Sequence, residues 1–149
     1  MRDGTTPPGR LWHGTRSDFS AFDARMLGSR VDNPTTGLGF WMSDTPEGAA
    51  VWAVRDDDSR RAGRLPAPSR PVILEVRARP EPYLRLTGSA FSRWLVWDAT
   101  LIRKARACAI LDGFAGVAVI WEDGRDGDAA WFCAFDPADV TIVGRRPAA

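Results

Sequence analysis

The chain has 149 residues, 44% of them hydrophobic and 26% charged, with a formal net charge of +1. That length is one domain's worth and buries on the order of two thirds of the unfolded chain's surface around a single core. The balance excludes a wholly disordered chain and a general electrostatic footprint for nucleic acid. Of the 20 positive residues all but Lys104 are arginine, a skew that reads as coding-sequence base composition rather than recognition.

Cys108 and Cys133 are far apart, and His13 is the one histidine. Metal-ligand spacing is therefore missing, no metal site is expected, and the cysteines read as two buried, reduced thiols. No run of about 18 apolar residues occurs, so nothing is expected to span a membrane. Residues 1–8 are polar and proline-rich, without the apolar region of a signal peptide. The expected location is the cytoplasm, either of the producing cell or of a target cell into which the protein is delivered.

Residues 1–9 read as a flexible tail, followed by a single domain over 10–144. Residues 10–13 read as a short strand ending at Gly14, where a backbone can approach a ligand closely. Phe19 and Phe22, three apart, suit one helical turn or a packed loop. Residues 28–37 are turn-rich, with Asp32-Asn33-Pro34 between glycines, and predict a mobile loop beside the site. Residues 40–43 predict the central strand. Thr45 is then a helix N-cap, with Pro46 at the first helical position and Glu47 suited to the helix dipole. This helix is expected to run to Val54, with Ala49, Trp52 and Ala53 on one face.

Residues 55–70 combine Asp56-Asp57-Asp58, Arg60-Arg61, Pro66 and Pro68, and predict an exposed loop. Residues 72–78 are rich in β-branched side chains and predict a strand; 83–86 suit another. Helices are expected over 90–96 and 99–111, the second with Leu101, Ala105, Cys108 and Ala109 on one stripe and ended by Gly113 and Gly116. Residues 117–121 predict an apolar strand, 122–128 a charged turn, and 131–135 and 140–143 the closing strands.

The stretch Gly37-Leu38-Gly39-Phe40-Trp41-Met42-Ser43-Asp44 through Trp52, following Trp12-His13-Gly14-Thr15, carries a family resemblance. It resembles the NAD-binding core of ADP-ribosyltransferases of the diphtheria-toxin and poly(ADP-ribose) polymerase branch, marked by a His-Tyr-Glu triad. Gly113-Phe114-Ala115-Gly116-Val117 and Ala134-Phe135-Asp136-Pro137-Ala138-Asp139-Val140 look like the closing segment of small phage and bacterial members. The resemblance implies an α/β (α+β) fold of split, mostly antiparallel sheets with flanking helices around a NAD cleft.

By this resemblance His13 matches the triad histidine, which bonds the adenosine ribose hydroxyls. Gly14 matches the glycine whose backbone clamps the nicotinamide carboxamide, and Thr15 adds a hydroxyl near the ribose. Gly39 and Phe40 fall in the cofactor-binding stretch. Trp41 stands at the triad tyrosine and Trp52 at a second aromatic, together sandwiching the nicotinamide ring; Ala49 falls where a hydrogen-bonding serine often sits. Aligning Phe135-Asp136 with the family's aromatic-Asp places Trp131 where the triad glutamate belongs.

The carboxylate that would stabilise an oxocarbenium-like transition state is then sought nearby. Glu122, after an apolar strand, is the residue chosen; Asp123, Asp126 and Asp128 are the alternatives, as is a purely solvated turn. No Glu-x-Glu and no second histidine occur, which sets aside the arginine-directed toxins and the RNA 2′-phosphotransferases. The expected activity is mono-ADP-ribosyl transfer from NAD, as co-substrate, to a macromolecular protein or nucleic-acid acceptor, in a toxin or a phage or anti-defence effector. A toxin implies a cognate inhibitor. The alternatives are a degenerate NAD- or ADP-ribose-binding module and a NAD glycohydrolase.

Overall fold

The computed structural model describes residues 3–15, 19–27, 34–61, 71–95, 98–121 and 130–148. Their strands are β1 (Gly4–Thr5), β2 (Leu11–Thr15), β3 (Phe40–Ser43), β4 (Val72–Ala78), β5 (Tyr83–Thr87), β6 (Gly116–Ile120), β7 (Trp131–Ala134) and β8 (Val140–Pro147). The helices are α1 (Pro46–Arg61), α2 (Gly88–Leu95) and α3 (Ala99–Leu111). The fold is thus mixed α+β, as the sequence predicts.

All eight strands join one sheet in the order β1-β5-β6-β7-β3-β2-β4-β8. Every neighbouring pair is antiparallel except β5–β6. Parallel strands need a long crossover, and α2 with α3 supplies it. The expected split into two sheets does not occur: one sheet is continuous, because the Trp12–Ser43 pair joins β2 to β3. It is the single ladder pair that these two strands share. On its other edge β2 pairs with β4 over its whole length, from Leu11–Val76 to Thr15–Val72.

Alternation along the strands sorts the core onto two faces. One cluster holds Leu11, Phe40, Met42, Leu74, Val76, Tyr83, Ala118, Phe132 and Val140. It draws on strands from β5 to β8, so the sheet curls around it. The opposite face carries Leu84, Val117, Val119, Trp131 and Cys133, roofed by Ile102, Ala105 and Ala109 of α3. Each large apolar side chain buried this way contributes about 1.5–3 kcal/mol.

Helix α1 starts as the sequence dictates. Thr45 Oγ1 accepts the Gly48 N–H at 3.1 Å, and Ser43 Oγ accepts the Thr45 N–H at 3.1 Å. Its end differs from expectation: the helix continues through Asp56-Asp57-Asp58 to Arg61. An aspartate run is a poor helix stretch but no breaker, and no glycine or proline interrupts residues 49–61. Residues 62–70, the rest of the expected loop, lie outside the described residues.

Other corrections have similarly plain causes. Gly4–Thr5 pairs with Tyr83 and Leu84 of β5, so the expected tail begins as an edge strand. The last strand runs on to Pro147 because β4 offers it pairing up to Val72. The α3 stripe is rotated from the expected one: Ile102, Ala105 and Ala109 are buried, while Leu101 and Cys108 are exposed. Of the two thiols only Cys133 is buried, and burial pushes its pKa well up. Asp98 caps α3 by accepting the Thr100 and Leu101 N–H groups at 2.8 and 3.2 Å. Gly113 ends the helix at φ 91°, a left-handed geometry that glycine tolerates.

Candidate functional site: the seam between β2 and β3

Past Trp12–Ser43 the facing edges of β2 and β3 form no further ladder pairs, although each strand is laddered on its outer edge. A seam inside a sheet leaves backbone donors and acceptors that must find other partners. One is found in the chain itself. His13 Nδ1 lies 2.6 Å from the Trp41 carbonyl oxygen, across the gap. A carbonyl only accepts, so Nδ1 carries the proton and Nε2 is the acceptor of the neutral ring.

Aromatic packing fixes that ring. Phe22 meets it edge-on at 5.1 Å and Phe19 at 5.9 Å, and Phe22 in turn packs on Phe40 at 5.4 Å. Phe19 and Phe22, a helical turn or a packed loop by sequence, lie in a bent loop and serve as this ring's wall. Phe40, expected at the cofactor, is buried in the core and packs on Phe22, which meets His13. Thr15, at the end of β2, is buried as well.

Trp41 and Trp52 lie on the α1 side of the sheet, against the same cluster. Trp41 Nε1 donates to the Thr35 carbonyl at 3.0 Å, and its ring is edge-on to Phe91 at 5.4 Å. Trp52 is edge-on to Trp131 at 5.4 Å. By strand alternation His13 points to the opposite face from Trp41. The described residues therefore join His13 to Trp41 through backbone, and seat the two indoles against one wall on the other side.

The glycines have a reason that sequence alone does not reveal. A Cβ on Gly14 would lie 1.8 Å from the Ala49 carbonyl oxygen, so α1 rests directly on β2 there. On Gly39 it would lie 2.2 Å from the Ala134 carbonyl oxygen. In both cases the close approach that excludes a side chain is made by the chain's own backbone. Ala49, where the resemblance places a serine, is fully buried under this contact.

The carboxylate candidates Glu122, Asp123, Asp126 and Asp128 lie outside the described residues. The acid that closes this end of the sheet is Asp44, which sequence reading passed over. Its Oδ1 accepts the Ala130 N–H at 2.9 Å, and its own N–H donates to the Ala130 carbonyl. Burial raises its pKa, the Ala130 hydrogen bond opposing. The signal available was its place immediately after a strand and before an N-cap.

A concavity of about 310 Å³ lies where β2, β4 and β8 meet the start of α1. Trp12, Glu47, Arg145 and Arg146 line it, together with Arg10, whose Nε donates to Glu75 Oε1 at 2.8 Å. Neither His13 nor either seam tryptophan belongs to it. Among the described residues no helix is long and apolar enough to cross a membrane.

No protein-family model matches the chain, and no curated protein matches its sequence. Among solved structures it is similar to a chain of the M. tuberculosis MbcT–MbcA toxin–antitoxin complex. The TM-score is 0.54 at 13% identity, over 98% of this chain and 85% of that one. At that identity the likeness establishes a shared fold, found in a toxin–antitoxin assembly.

Proposed function

We propose that the chain is a NAD-dependent mono-ADP-ribosyltransferase acting at the β2–β3 seam, with a toxin's role and a cognate protein inhibitor. The observation that carries this reading is the His13–Trp41 bridge across the seam. It fixes an imidazole acceptor at one side of an interrupted ladder whose other side leads to Trp41 and Trp52. NAD is a two-ended ligand with a ribose at one end and a flat, cationic ring at the other. Nε2 of His13 suits an adenosine ribose hydroxyl, and the electron-rich indole faces suit a nicotinamide cation. Backbone freed by the seam near Gly14 suits the carboxamide.

In the proposed reaction the bond between nicotinamide and ribose C1′ breaks, nicotinamide leaves with the bonding pair, and an acceptor nucleophile bonds to C1′. A carboxylate stabilises the positive charge that develops on the ribose. Glu122 is proposed for that role from its place in the sequence, directly after Trp121. The fold shared with a chain of a toxin–antitoxin complex supports the toxin role and the inhibitor.

Incubation with radiolabelled NAD and cell lysate tests the reading: label on a macromolecule and free nicotinamide are expected. NAD retained without either product favours a binding module, a reading that buried Trp131 at the aligned glutamate position supports. Free ADP-ribose formed equally with and without lysate favours a glycohydrolase.

A further inference from the structure

Trp131 opens β7, paired with Ser43 on one side and Val119 on the other. It is 5% exposed. Its Nε1 is buried and has no hydrogen-bond partner among the described residues. An indole nitrogen only donates. A buried donor with no acceptor forfeits the bond water gave it in the unfolded chain, so native proteins keep few, mostly where water, an ion or a ligand completes them. The contrast with Trp41 is direct, since that indole gives its proton to the Thr35 carbonyl. Trp131 also stands edge-on to Trp52 at 5.4 Å and 87°, within the cluster against which Trp41 packs.

We infer that Trp131 is a ligand-binding residue of the seam site, its Nε1–H donating to a hydroxyl oxygen of the nicotinamide ribose. This rests on the NAD reading above and adds a residue to it. The chemistry differs from that of a carboxylate at the same place. A carboxylate accepts a hydroxyl proton and carries negative charge, whereas an indole donates and is neutral. Trp131 therefore holds the ribose without stabilising its developing charge, and so governs affinity rather than the chemical step. Any charge stabilisation comes from elsewhere in the chain.

The indole N–H signals of the seven tryptophans give a test on the unmodified protein. In an NMR titration with NAD, the Trp131 signal moves downfield and its solvent exchange slows. A Trp131 signal unmoved at saturating NAD overturns the inference while leaving the NAD reading intact. Absence of any NAD binding by calorimetry removes the reading and the inference together. Trp131→Phe keeps an aromatic ring and deletes the donor. Its NAD affinity is expected to fall roughly tenfold, the scale of one hydrogen bond; undiminished affinity overturns the inference. If that variant does not fold, the titration of the unmodified chain decides.

Discussion

Strand β2 has two neighbours and treats them differently. Toward β4 it makes five successive ladder pairs, Leu11–Val76 through Thr15–Val72. Toward β3 it makes one, and a histidine side chain takes over where backbone pairing stops. The closed side is held by non-directional burial and a continuous ladder. The open side is held by a directed hydrogen bond and by aromatic edges. Substitutions on the closed side are therefore expected to act through packing, while those on the open side are expected to act on the proposed NAD site.

The largest expected effect falls where the two sides meet. Gly14→Ala sets a methyl group 1.8 Å from the Ala49 carbonyl, which neither α1 nor β2 can yield without separating. A loss of about 3 kcal/mol or more in urea unfolding is expected. Gly9→Ala, with nothing within 4 Å of the added Cβ, is the control. A Gly14 variant as stable as the control would mean that α1 does not rest on β2.

Leu74→Ala, on the closed side and fully buried, is expected to cost about 2–5 kcal/mol while leaving intrinsic NAD affinity unchanged. His13→Ala, on the open side, reverses the pattern. NAD affinity is expected to fall roughly tenfold or more, with a smaller change in unfolding free energy. An unchanged NAD titration would remove His13 from the site. Trp41→Phe keeps an aromatic ring but loses the hydrogen bond to Thr35, at about 1 kcal/mol of stability, and NAD affinity is expected to fall a few-fold because a phenyl face attracts a cation less than an indole does.

The smallest effect is a slope. Burial raises the pKa of Asp44 above its unfolded value, so the folded state holds that proton to higher pH than the unfolded state does. Its contribution to stability is therefore lost as pH rises from the usual carboxylate range through the raised pKa. Asp44→Asn keeps an oxygen for the Ala130 N–H and is expected to flatten that part of the stability profile, measured by urea unfolding across acidic pH. An unchanged slope would show that Asp44 is not desolvated.

Local signals carried much of this architecture. Strands 40–43 and 72–78 and helix 99–111 fall at the bounds expected from pattern, and the Thr45 cap was readable because capping needs only three or four neighbouring residues. What escaped is what distant segments decide. The pairing of Gly4–Thr5 depends on β5, nearly eighty residues away. The need for glycine at positions 14 and 39 depends on Ala49 and Ala134, far along the chain or on another strand, which no local pattern reveals. The burial of α3 turned on whether Leu101 or Ile102 led the stripe, a difference of one residue's rotation. The seam itself has no sequence signature, since nothing in Trp12-His13-Gly14 says that pairing with β3 stops after one residue. The resemblance singled out His13, Trp41 and Trp52, and it gave no sign that His13 would bond the backbone of Trp41.

The most direct measurement is a crystal structure with NAD bound. The prediction is a dinucleotide lying across the β2–β3 seam, its adenosine ribose at His13 Nε2 and its nicotinamide against Trp41 and Trp52. NAD seated instead in the concavity of Trp12, Arg145 and Arg146, with the His13–Trp41 seam untouched, would contradict it.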